Sequence, residues 1–325
     1  MRIPPLAALL ALLSVPAMGV VLRTHLKKPA HGFQMRVTDF TVAPDQDLEE
    51  CEYRRLPNKK PMDVSGFELR MPEGHHFVIW AYGGNITDDS QFPKGPVPAV
   101  GCSGVAPDNT IPQVLIPIQT PNARFRFPDG IALSIDPHEQ VWLNPHMRNG
   151  SSETVTPDIR FNFYAAKKGT VQHHAQGLII GNITNISIPA NGDYTMTSEW
   201  TSPIDLTLIQ LQTHQHRLGT YANIEMVDDG GTPHKVYENT TWDHPAQYWP
   251  DPPIHLTAGQ KMRITCTWHN TDDHIVTFGP KTTDEMCFIL GFFYRDGDAT
   301  GQVVGNGCLP SKKGLFCPLA PVVTN

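Results

Sequence analysis

Two histidines one residue apart, His214 and His216 in the stretch LQTHQHRLG, raise the first chemical question of this sequence. On a strand, residues i and i+2 share a face, so the two imidazoles could grip one metal ion. They could equally be solvated side chains on an amphipathic strand. Seventy residues beyond His216 comes Met286, next to Cys287. A thioether is a soft donor that suits copper(I) and has little use for zinc or magnesium; otherwise Met286 is a core methionine. An earlier pair, His75 and His76 in PEGHHFVIW, is adjacent. Adjacent strand residues face opposite ways, so both reach one metal only at a strand end or a bulge, which Gly74 permits. His146, in VWLNPHMRN, follows an apolar run and could supply a third imidazole to that pair.

The remaining histidines are read as mainly structural or solvated: His173 and His174 in a linker, His244 in TWDHPAQYW, and His274 in DDHIVTFG. The carboxylate-rich DQDLEEC is read as a solvated loop rather than a glycosidase pair. The chain has no H-E-x-x-H, G-x-S-x-G, P-loop or dinucleotide-binding glycine pattern.

Any such sites must be held by strands. Apolar runs and alternating stretches recur at 76–82, 113–119, 130–135, 139–146, 158–166, 176–188, 206–216, 221–227, 261–269 and 285–294, most of them bounded by Gly, Pro, Asn or Asp. No segment carries a helical period of useful length, and 30 prolines with 26 glycines fit many strands joined by turns. The pattern predicts an all-β chain of two antiparallel, jelly-roll-like β-sandwich domains in tandem. The polar KKGTVQHH at 167–174 is the expected boundary, giving domains at 33–167 and 168–325.

Charged residues are only 18% of the chain, with a formal net charge of −7 and no basic run, which argues against a nucleic-acid partner. Residues 1–19 have the layout of a secretory signal peptide: one basic residue, an apolar run, then Ala17 and Gly19. The alternative is an uncleaved anchor, which Pro4, Pro5 and Pro16 suit poorly. No later segment approaches the roughly 20 apolar residues of a membrane span. The expected location is therefore extracellular or the secretory lumen. Six cysteines fit an oxidising compartment but allow fifteen pairings. Five sequons, at Asn85, Asn149, Asn182, Asn185 and Asn239, are candidate glycosylation sites on surface loops.

In their order, these clusters resemble the copper type II, ascorbate-dependent monooxygenases, which include peptidylglycine α-hydroxylating monooxygenase and dopamine β-monooxygenase. The shared pattern is an HH pair and a distant His, then H-x-H and a distant EMC. The likeness covers most of the chain after about residue 35, through FPDGIALSI, VWLNPHMRN, LQTHQHRLGTY, AGQKMRITCTW and DEMCFILGFFY. TWDHP and IVTFGP are similar to segments of smaller members that lack any extra domain.

The resemblance implies two coppers per chain, with ascorbate as reductant, O2 as co-substrate and a small organic molecule as the substrate hydroxylated at a C–H bond. His75, His76 and His146 would hold an electron-storing copper; His214, His216 and Met286 would hold the oxygen-activating one. The coppers would face each other across a solvent cleft. It also implies a Cys266–Cys287 disulfide beside Met286 and a Cys51–Cys102 bridge, leaving Cys308 with Cys317. Amidating relatives place an Arg two residues before H-x-H, where this chain has Gln212, and an Asn and a Tyr after MC, where it has Phe288 and Leu290. Those three residues are expected at the substrate pocket, and a peptide-amidating activity is not expected. A non-catalytic extracellular copper-binding protein is the alternative. A zinc hydrolase built on three histidines is a third reading, which Met286 disfavours.

Overall fold

The computed structural model describes residues 19–82, 88–90, 92–98, 113–183, 185–279, 281–295 and 314–319. Among these residues there is no helix, and twenty-three strands follow one another. The first half contributes β1 (Val20–Leu22), β2 (Gly32–Arg36), β3 (Asp47–Arg55), β4 (Met62–Arg70), β5 (Gly74–Ala81) and β6 (Val97–Pro98). It continues with β7 (Gln113–Ile118), β8 (Asn122–Arg126), β9 (Ile131–Ile135), β10 (Gln140–Arg148), β11 (Val155–Pro157) and β12 (Arg160–Ala165). The second half contributes β13 (His173–Asn182), β14 (Ser187–Ile188), β15 (Asp193–Thr201), β16 (Leu206–His214), β17 (Gly219–Val227) and β18 (Pro233–Asn239). Then come β19 (Ile254–Leu256), β20 (Lys261–His269), β21 (Val276–Thr277), β22 (Cys287–Arg295) and β23 (Gly314–Leu319).

The burial along each strand explains its place. β20 alternates buried with exposed or half-exposed residues over its whole length, as a strand with one face on a core must. It sits in a four-stranded sheet of order β15-β20-β17-β18. β16 is buried at all nine positions and runs inside a larger sheet with material on both faces. In the first half, a five-stranded sheet of order β6-β3-β10-β5-β7 carries the HH pair and His146. One apolar core gathers Phe67, Phe77, Phe161 and Phe163 with their neighbours; a second gathers Trp200, Trp268, Leu211 and Phe293.

The all-β expectation holds. The division into two self-contained sandwiches is less clean than expected, because a ten-stranded sheet runs through both halves. Its junction is a parallel pairing of β9 with β13, Ile131 to Leu133 against His173 to Ala175. Ile209 and Phe292 of the second half also belong to the first core. The expected linker therefore ends in strand: His173 stacks on Tyr294 at 4.3 Å and His174 Nε2 lies 3.1 Å from Asp63. Three pairings, β1–β11, β9–β13 and β13–β23, are parallel rather than antiparallel.

Other expectations need correction. DQDLEEC is not a solvated loop, since its last five residues open β3 and pair with β10. The run 176–188 is interrupted: β13 stops at Asn182, whose Oδ1 accepts from the Asn185 N–H at 3.0 Å, and β14 restarts at Ser187. Two of the sequon asparagines are not in surface loops. Asn149 is buried, donating to the carbonyls of Val42, Ala43 and Glu153, and Asn182 is fully buried. Asn85 and residues 1–18 of the expected signal lie outside the described residues. No helix among the described residues is long and apolar enough to cross a membrane.

The Cys266–Cys287 disulfide is present and joins β20 of the four-stranded sheet to β22 of the large one. Cys51 and Cys317 are also disulfide-bonded. Cys102 and Cys308, their expected partners, lie outside the described residues.

Candidate metal centre

The HH pair reaches one point because β5 bulges there. His146 on β10 stands opposite His76, but the next residue, Met147, stands opposite Gly74, so His75 is left over. Gly74 is needed at that kink: a Cβ would lie 2.2 Å from the Met71 Cε and 2.9 Å from the Met71 carbonyl oxygen. The result is three buried imidazoles, His75, His76 and His146, whose ligand atoms all lie within 4.8 Å of one another. The Nδ1 atoms of His76 and His146 are 3.3 Å apart.

Each imidazole has its own carboxylate. His146 Nε2 meets Asp47 Oδ1 at 2.5 Å, His76 Nε2 lies 3.7 Å from Glu49 Oε1, and His75 Nδ1 lies 3.0 Å from Asp243 Oδ1. His76 and His146 thus turn Nδ1 inward and Nε2 toward an acid, the arrangement that fixes the tautomer of a metal-ligating histidine. Thr282, from the second half, lies within hydrogen-bonding distance of both Asp47 and His146. Burial, with the neighbouring imidazoles, holds His75 and His76 well below the usual histidine value, so both are neutral donors. Burial pushes the Glu49 carboxyl up. For Asp47 burial also pushes up, but the His146 bond and charge, Thr282 and Arg148 outweigh it and leave the carboxyl below its ordinary value.

The second cluster stands at the end of β16. His214 is its last residue, and His216 follows beyond the strand. The pair therefore does not share a strand face as the spacing suggested. The rings nonetheless come together, 5.1 Å apart and nearly perpendicular. His214 Nδ1 is held 2.7 Å from Gln119 Oε1, and His216 Nδ1 lies 3.0 Å from the Asp284 carbonyl. Both rings thus spend Nδ1 as a donor and keep Nε2 as the ligand atom. Burial first, then neighbouring imidazoles, lowers the His214 pKa; burial lowers that of His216 despite the Asp284 carbonyl, which raises it.

Glu285 holds this corner together. Its fully buried carboxylate accepts from the N–H groups of His216 at 2.9 Å and Leu218 at 2.8 Å, from Trp268 Nε1 at 2.8 Å and from the Met286 N–H at 3.3 Å. Burial pushes its pKa up to about 7 against those four donors. Met286 follows directly and shares a cavity wall with His214 and His216.

That cavity, of about 380 Å³, also takes His76 and Glu49 into its lining. The His76 and His214 rings are 5.6 Å apart, so the two clusters meet rather than face each other across an open cleft. The other walls are chiefly apolar, including Val78, Trp80, Ile179, Phe278, Phe288 and Leu290. Phe288 lies parallel to the His214 ring at 6.4 Å. Gln212, expected at this pocket, is not among its lining residues; its buried amide donates to the Pro117 carbonyl at 2.9 Å.

Sequence reasoning missed Asp47, Glu49, Gln119, Thr282 and Glu285. Of these only Glu285 carries a local signal, its place immediately before Met286. His244, read as structural or solvated, instead packs against His75 with ring centroids 5.7 Å apart. With His75 and Asp243 it forms a second group whose ligand atoms lie within 4.8 Å of one another.

The fold and these two imidazole groups define an all-β protein with a candidate metal centre at the meeting of its halves. Residues 177–309 match the copper type II ascorbate-dependent monooxygenase C-terminal domain. Over that region, about two fifths of its length, the chain is similar to the copper type II, ascorbate-dependent monooxygenases. It is 23% identical over 288 residues to the Homo sapiens protein named "Putative DBH-like monooxygenase protein 2", covering 80% of this chain and 56% of that one. The chain thus spans just over half the length of this relative. Solved structures with some likeness include that of infectious bursal disease virus Gx strain, at 10% identity over 86% of this chain and 74% of that one, with a TM-score of 0.20. The coconut allergen cocosin is another, at 7% identity over 87% of this chain and 86% of that one, also with a TM-score of 0.20. Likenesses this weak carry no argument about the fold.

Proposed function

We propose that this protein is an exported monooxygenase that holds two coppers, takes electrons from ascorbate and uses O2 to hydroxylate a C–H bond of a small, uncharged, largely apolar molecule. The observation that carries the reading is the single cavity onto which His76, His214, His216 and Met286 all open. The chemistry of the donor sets fits copper: neutral imidazoles with fixed tautomers in one group, two imidazoles and a soft thioether in the other. When bound, the metal supplies the one-electron redox steps and the activation of oxygen.

The chain's own residues position and exclude. His75, His76 and His146 hold one ion, with Asp47 and Glu49 orienting the outer nitrogens. His214 and His216 present Nε2 to the other, with Gln119 and the Asp284 carbonyl fixing the rings and Glu285 holding Met286 beside them. The apolar walls keep water from the reacting centre. No lysine or arginine lines the cavity among the described residues, and its one carboxylate, Glu49, sits by His76 with its pKa raised. A substrate carboxylate or ammonium group would therefore enter without a partner, at a cost of several kcal/mol. This disfavours glycine-extended peptides. The reading divides the chain near residue 167, pairs Cys51 with Cys102 and Cys308 with Cys317, and removes residues 1–19 as a signal.

The test is ascorbate-driven oxygen uptake by copper-loaded protein across a library of neutral apolar compounds, glycine-extended peptides and catecholamines. The expected result is two coppers per chain and uptake coupled to a hydroxylated neutral product. Two bound coppers with no uptake on any compound would favour a copper-binding protein without turnover.

A further inference from the structure

The loop between β18 and β19 crosses from the second half to the first and lays Trp242, Asp243 and His244 over His75. The ring centroids of Trp242 and His75 are 5.0 Å apart. Asp243 Oδ1 sits between two imidazoles, 3.0 Å from His75 Nδ1 and 3.5 Å from His244 Nε2. Beyond their 3.0 Å contact with each other, neither His75 Nδ1 nor Asp243 Oδ1 has a hydrogen-bond partner, although both atoms are buried. Two buried polar atoms with no partner beyond one another keep unused capacity that a cation could take up. His244 adopts a left-handed backbone, with φ of 54°, a conformation uncommon for a residue other than glycine.

His75, Asp243 and His244 line a second cavity, of about 470 Å³, which shares no lining residue with the apolar one. Its lining holds the carboxylates Asp45, Asp47, Glu73 and Asp243 against one guanidinium, Arg148. Arg148 is turned onto the Trp242 ring, 5.0 Å from its centroid, and lies 3.7 Å from Asp47. A concave, acid-rich mouth of this kind concentrates cations.

We infer that His75, Asp243 and His244 form a second cation site, a loading port through which copper(II) reaches the His75, His76 and His146 group. Two imidazoles and a carboxylate suit copper(II). His75 belongs to both ligand groups. The ion exchanges Asp243 and His244 for His76 and His146 while His75 is the ligand common to both. Only metal–ligand bonds form and break, the ion stays in its +2 state, and no electron is transferred. The inference rests on the reading of His75, His76 and His146 as a metal site, but not on turnover.

The test adds copper(II) chloride to the metal-free full chain and follows uptake by native mass spectrometry and electron paramagnetic resonance. The port is judged first by counting ions. His76→Ala/His146→Ala, which spares the port, should bind one more copper than His75→Ala/His76→Ala/His146→Ala; equal numbers would overturn the site. The rate is judged with Asp243→Asn/His244→Asn, since asparagine tolerates the left-handed backbone at 244. Filling of the inner group should slow by about tenfold or more in this variant, and an unchanged rate would overturn the port. If Asp243→Asn/His244→Asn, which spares the inner group, binds no more copper than His75→Ala/His76→Ala/His146→Ala, the inner group is not a metal site. That result would overturn the metal reading and this inference with it.

Discussion

The ring of His76 lies 5.6 Å from the ring of His214, edge to face at 80°. One residue comes from the bulged end of β5, the other from the last position of β16, and nothing wider than an imidazole contact separates the two clusters. Ions held by both groups would be close neighbours. A chain loaded with copper(II) at both positions should give a dipole-coupled magnetic resonance spectrum. Two magnetically isolated signals would place the ions farther apart than this contact permits.

Glu285 answers four donors at once: the N–H groups of His216, Leu218 and Met286 and the indole of Trp268. Glu285→Ala leaves these groups without their acceptor, at about 1–3 kcal/mol for each one that stays buried and unsatisfied. Unfolding temperature should fall. Copper(I) should be lost from the His214, His216 and Met286 group before it is lost from the His75 group. Equal loss from both would mean that Glu285 supports the fold generally and not this corner.

Asp158 gives a pH dependence away from the metal groups. Its buried carboxyl would be raised by burial, but bonds from Arg36 at 2.7 Å, the Thr24 N–H at 3.1 Å and Arg160 at 3.0 Å hold it below its ordinary value of 3.8. Below that ordinary value the unfolded chain takes up the proton first. Asp158 therefore stabilises the fold fully above pH 3.8, and the contribution is lost as pH falls through the lower folded value. Asp158→Asn should cost about 1–2 kcal/mol at neutral pH and flatten the acid limb of a denaturation curve. An unaltered limb would assign acid sensitivity to other carboxylates.

Leu290 lines the apolar cavity and faces Gln212 across the β16–β22 ladder. With whichever neutral compound the oxygen-uptake screen identifies, Leu290→Asp should raise KM by about tenfold or more. Copper content should stay as it was. An unchanged KM would move the substrate away from this wall.

The ligand types and their order along the chain were legible because each carries its chemistry in its side chain. The bulge that unites His75 with His76 was also legible, since adjacent strand residues need one and Gly74 stands where it must. The groups that tune the ligands were not. Asp47 and Glu49 sit in a run so charged that it reads as a loop; pairing with β10 makes it a strand. Gln119 meets His214 only through the packing of β7 near β16. Gln212 failed as a pocket residue because its amide is used by the Pro117 carbonyl, a partner 95 residues away. His244 looked solvated because its neighbour, His75, belongs to the other half of the sequence.

The parallel ladders of β13 impose an order on the birth of the molecule. One edge of this strand takes β9, already made, and then β23, residues 314–319; the other edge takes β22. A chain emerging from the ribosome can assemble much of its first half early. β13 then waits, with its edges exposed, for more than a hundred residues of synthesis before Cys287–Arg295 arrives. During that interval the strand is a template for mispairing. Cys266, made near the end of that interval, can find its native partner only once Cys287 follows 21 residues later. Slowing synthesis after residue 182 should therefore increase aggregation and mispaired cysteines, whereas slowing it before residue 131 should not.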